Sequence, residues 1–270
     1  MTNAPITDLL SPEQAAQQAV SAVSPQGLRY ATLGAAAAAS EVGRLTGAVP
    51  AGIASGLSGF QYVFVPLALS GSRLEGDVTA PFPLKDKTLI APAYHASLVD
   101  KAICHRNAPV DGRELVFLSS RLHTDRFALA FEFCINVAHN YTDTVGVPES
   151  FSALLWTQVV AGVRGETSMD AWEDRAAAIG VPPVELETRR AVPRGAVDEK
   201  FRADYNSDAF SDTMAIYLLS LHMDFDYADL REREYPLLAA PALAERLRAM
   251  NKLFPSSEAY PFQVLYRRRG

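Results

Sequence analysis

The sequence predicts an α+β fold, mostly helical, with a small sheet near residues 60–118 packed against the helices of 121–222. Three observations carry that expectation. Apolar residues Phe127, Ala128, Phe131, Ile135 and Ala138 recur at three- and four-residue intervals, the signature of a helix with one buried face. Short apolar runs at Phe60–Leu69, Lys87–Ala91 and Glu114–Leu118 read as strands, the last bounded by the turn Asp111-Gly112. Between and after them stand helix start signals at Ser11 and Ser168.

Taken in order, Ser11-Pro12-Glu13-Gln14 combines an N-cap, a proline in the first turn and a Gln three residues after the cap, which predicts a helix from Pro12 to about Val23. A second helix is expected around Leu28–Leu45, where the run Ala35–Ala39 favours helix. Leu45 to Gly71 carries no charge, but Gly47, Pro50, Gly52, Gly56, Gly59 and Pro66 interrupt it. It reads as a buried glycine-rich turn feeding a core strand, with a membrane-inserting segment over 45–71 as the alternative. Tyr94–His105 is expected as a helix, Thr124–Tyr141 as a long central one, and Phe151–Val163 and Met169–Ile179 as two more. Gly180–Val197 holds Pro182, Pro183, Pro193 and Gly195 and is expected as an exposed, cleavable loop. Helices at Asp198–His222 and Pro241–Leu253 complete the chain, ahead of a basic tail, Arg267–Arg269. The expected organisation is an N-terminal helical segment, 1–58, and a main α+β domain, 59–270, with one domain throughout as the alternative.

Composition narrows the function classes. The 270 residues carry 25 Lys+Arg against 31 Asp+Glu, a net charge of −6, which offers no general attraction to nucleic acid. Cys104 and Cys134 are the two cysteines, without C-x-x-C spacing, so neither a disulfide scaffold nor a Cys-rich zinc site is built. A reducing, cytoplasmic compartment is expected. Met1–Leu10 has no Lys or Arg and no sustained apolar run, which predicts no secretory signal. Gly-x-Ser-x-Gly, Gly-x-x-x-x-Gly-Lys-Ser/Thr and Gly-x-Gly-x-x-Gly are all missing, which removes the usual nucleophile elbow and phosphate-cradling loops.

One constellation stands out. Glu114-Leu-Val-Phe-Leu118 followed by Leu129-Ala-Phe-Glu-Phe-Cys-Ile135 resembles the core of a zincin-type metallopeptidase, in which an edge strand precedes a helix bearing L-A-H-E-L-x-H. The resemblance covers about Arg113–Asp212. It implies a scaffold on which two His four residues apart ligate zinc and the Glu between them activates water. Here Phe131 and Ile135 occupy the two imidazole positions and only Glu132 matches. The place of a third, acidic ligand reads Asn206-Ser207-Asp208-Ala209. Hydrocarbon side chains have no lone pair for a metal, so the resemblance implies a scaffold that has lost its zinc.

The leading expectation is therefore a non-catalytic binding or interaction protein with no cofactor, its partner another protein. The competing expectation is a metal- or acid/base-dependent hydrolase whose catalytic groups are Glu132, Asp208 and His139. Glu132 and His139 lie two helical turns apart, about 10 Å, too far to share one ion unaided. The local metal candidate is His222-Met-Asp224-Phe-Asp226, which places an imidazole and two carboxylates on one side if extended. Tyr205, Asp208 and Asp212 share one face of their helix and, as polar groups on a central element, require partners.

Overall fold

The computed structural model describes residues 8–34, 36–74, 87–121, 126–183, 195–230 and 235–264. The fold is α+β, as expected, and divides into two compact units, Met1–Phe133 and Cys134–Gly270.

The first unit holds both sheets. α1 (Pro12–Gln18) starts at the predicted capping box: Ser11 Oγ accepts from Gln14 N–H, and Gln14 Oε1 accepts from Ser11 N–H. It stops about five residues early because Val20–Val23 forms β1 and pairs antiparallel with β2 (Arg29–Thr32). The turn between them closes on Ser24, whose hydroxyl accepts from Leu28 N–H, with Gly27 at φ +97°. This corrects the helix expected over 28–45, whose helical part begins only at α2 (Ala39–Gly47). The stretch 1–58, expected as a helical segment, thus includes two strands. After α2 and α3 (Ala51–Gly56) the chain enters β3 (Phe60–Val65), which lies parallel to β2 and so binds the N-terminal stretch into the main sheet.

The main sheet runs β1-β2-β3-β8-β7, with β7 His105–Val110 and β8 Arg113–Ser119. β7 and β8 form the predicted hairpin; Asp111 and Gly112 both take positive φ, +50° and +75°, as a two-residue primed turn requires. β3 is covered on both faces. Val63 and Val65 join Ala31, Leu115, Phe117 and Ala15 in one cluster, while Tyr62 and Phe64 meet Phe133 with ring centroids 5.3 and 5.7 Å away. Burial on both faces explains its nearly unbroken apolar sequence.

A three-stranded sheet, β5-β4-β6, is built from β4 (Leu67–Ser70), β5 (Thr88–Ala91) and β6 (Ala102–Ile103). Ser119 links it to the main sheet: its hydroxyl accepts from Ala68 N–H and donates to Ile103 O, both at 2.6 Å. The helix expected over 94–105 is a 3-10 turn, Ala96–Lys101, followed directly by β6 and β7, because sheet pairing captures the residues that would have continued it. The uncharged run 45–71 is spent on α2, α3, β3 and β4. Among the described residues no helix is long and apolar enough to cross a membrane.

α4 (Arg126–Val145) begins in the first unit and ends in the second. The second unit continues with α5 (Glu149–Val160), α6 (Met169–Ala178), α7 (Glu199–His222) and α8 (Ala240–Leu253). Ser168 caps α6 by accepting from Ala171 N–H, and Asp198 caps α7 by accepting from Lys200 and Phe201 N–H. Phe210 on α7 packs edge-on to Phe151 of α5 at 5.1 Å, and Tyr141 of α4 packs edge-on to Phe254 at 5.3 Å. Residues 184–194 of the expected cleavable loop and the Arg267–Arg269 tail lie outside the described residues.

Candidate functional site

Among the described residues two polar centres are built, one in each unit. In the first, α4 follows β8 and carries Glu132, whose carboxylate accepts a 2.6 Å hydrogen bond from His105 Nδ1 on β7. The His105 side chain is 46% exposed and that of Glu132 is 17% exposed, so the pair stands at the rim of the unit. Phe131 and Ile135, on either side of Glu132 along α4, are half-buried. Phe131 stacks on Phe127, one turn earlier, with ring planes 12° apart and centroids at 5.9 Å. His105 was not a sequence candidate, since its contact to Glu132 follows from sheet pairing and not from local spacing.

The second centre lies around the segment preceding α6. Glu166 is completely buried and runs in parallel register beside Leu237: its N–H donates to Pro236 O, and Leu238 N–H donates to its carbonyl. Its carboxylate receives Arg175 Nη1 and Tyr205 Oη on one oxygen and Arg246 Nη1 on the other, each at 2.9 Å. Arg246 extends the network to Gln158 Oε1 (2.7 Å) and Tyr205 Oη (3.2 Å). Arg175 Nη2 donates to Val163 O, while its Nε has no partner among the described residues. Burial alone would ease the proton off Arg246, but the Glu166 carboxylate outweighs it and holds the guanidinium above its ordinary range. Burial raises the Tyr205 hydroxyl too, with Glu166 adding to the effect, so it stays a donor.

Beside this network α6 and α7 run antiparallel, and their acidic residues face one another. Thr167 and Ser168 hydroxyls both bond Asp212. Burial pushes its carboxyl up to about 6 even so, with His139 pulling the other way. One turn back on α7, Asp208 shares a hydrogen bond with Asp174 of α6. Burial comes first, then the Asp174 bond and the neighbouring carboxylates, in raising Asp208 to about 7. Two carboxyls this close cannot both ionise cheaply, so they share a proton.

Glu132 belongs to the first unit and pairs with His105, whereas Asp208 and His139 belong to the second, each acting on a carboxyl neighbour, Asp174 and Asp212 respectively. Tyr205, Asp208 and Asp212 do share a face and each meets a polar partner, as their helical spacing requires. Among the described residues no group of three or more His, Cys, Asp or Glu comes together in a way that could hold a metal ion, and His222, Asp224 and Asp226 are among the residues searched. Asp226 instead turns its carboxylate onto Ala228 N–H (2.9 Å) at the start of the 3-10 turn Tyr227–Leu230. Sequence reasoning missed Glu166, Arg175, Arg246 and Asp174. The one local signal was an Arg on the buried face of α6.

Compared with known proteins, the chain matches no family model, and neither a curated protein nor a solved structure aligns with it significantly.

Proposed function

We propose that this chain is a non-catalytic binding protein on a metallopeptidase-like scaffold without zinc ligands, contacting another protein through the outer side of α4. The observation that carries the reading is the Glu132–His105 hydrogen bond. A carboxylate that activates a metal-bound water needs an oxygen aimed at that water; one oxygen of this carboxylate is instead engaged at 2.6 Å by an imidazole of the same unit. Next to it, the stacked and half-buried Phe127 and Phe131 supply aromatic area of the kind that anchors protein contacts. Exposed Cys104 and buried Cys134, which are not joined in a disulfide, support a reducing, cytoplasmic setting. Metal analysis of the purified protein tests the reading. The expected result is sub-stoichiometric zinc and manganese, unchanged by Glu132→Gln; one equivalent of metal that disappears in that variant contradicts it.

A second reading has its own support. The Asp174–Asp208 pair, with Asp208 raised to about 7, is matched to general acid–base work near neutral pH, which favours an acid/base hydrolase. Its mark is a hydrolytic rate that tracks an apparent pKa near 7 and is lost in Asp208→Asn. A rate with that profile replaces the binding reading by this one.

A further inference from the structure

We draw no further inference here: the strongest candidate, the outer edge of β1 at the end of the main sheet, where Val20 and Val23 stand exposed, carries none because nothing in the structure shows what covers it.

Discussion

At Gly165 a single methyl group decides whether the second centre forms. The residue holds φ at +80°, and a Cβ there would stand 2.0 Å from Leu237 O and 2.7 Å from Leu238 N. Both obstacles are backbone and belong to the segment that Glu166 bonds, so neither can swing aside. Gly165→Ala is expected to cost more than about 3 kcal/mol in denaturant unfolding, combining left-handed strain with loss of the Glu166 register. Ser119 is the equivalent point in the first unit. Its buried hydroxyl satisfies one N–H and one carbonyl from different strands, so Ser119→Ala leaves both without it. The expected loss is about 1–3 kcal/mol in the same measurement. Among titrating groups, Asp208 and Asp212 have folded values of about 7 and about 6 against 3.8 for an ordinary aspartate. The folded chain therefore binds more protons than the unfolded one between those limits, and stability is greatest below pH 3.8 as far as these groups act and falls as pH rises toward 7. Asp208→Asn is expected to flatten the upper part of that decline. An unchanged pH–stability curve in that variant contradicts the shared-proton arrangement.

Elements are joined in the second unit by charge as much as by apolar packing. Glu166, Arg175 and Arg246 are 0–2% exposed at their side chains, and they connect the segment before α6 to α6, α7 (through Tyr205) and α8. Removing one member strands the others without water. Glu166→Leu alone is expected to cost about 3–5 kcal/mol, whereas combining it with Arg175→Met and Arg246→Met restores most of the loss. Calorimetric unfolding of the single and triple variants distinguishes this from a network valued for its charge pairs: a triple variant less stable than the single one contradicts the argument. The elements themselves were unevenly legible. Those with local chemistry at their ends were readable, namely the capping box at Ser11, the cap at Ser168 and the turn at Asp111-Gly112. β1 and β2 were not, because four-residue strands among Ala and Gln carry no period that outweighs a neighbouring helix signal, and only pairing with β3 makes them strands. The same reasoning covers 94–105, where β6 and β7 take residues of helical pattern.

For the whole molecule, the difference between what was readable and what was not is a difference in range. Glu132 is marked by its neighbours along one helix, and Asp208 and Asp212 by their spacing on another. Glu166 is nine residues from Arg175, 39 from Tyr205 and 80 from Arg246, and no local pattern announces contacts of that separation. His105 reaches Glu132 across 27 residues for the same reason. The reading as a binding protein depends on what occupies the Glu132 carboxylate. Its most direct test is metal content by mass spectrometry, measured on the wild type and on Glu132→Gln after exposure to zinc and removal of excess. No stoichiometric metal in either protein is the predicted result, and one equivalent retained by the wild type and absent from the variant would contradict the account.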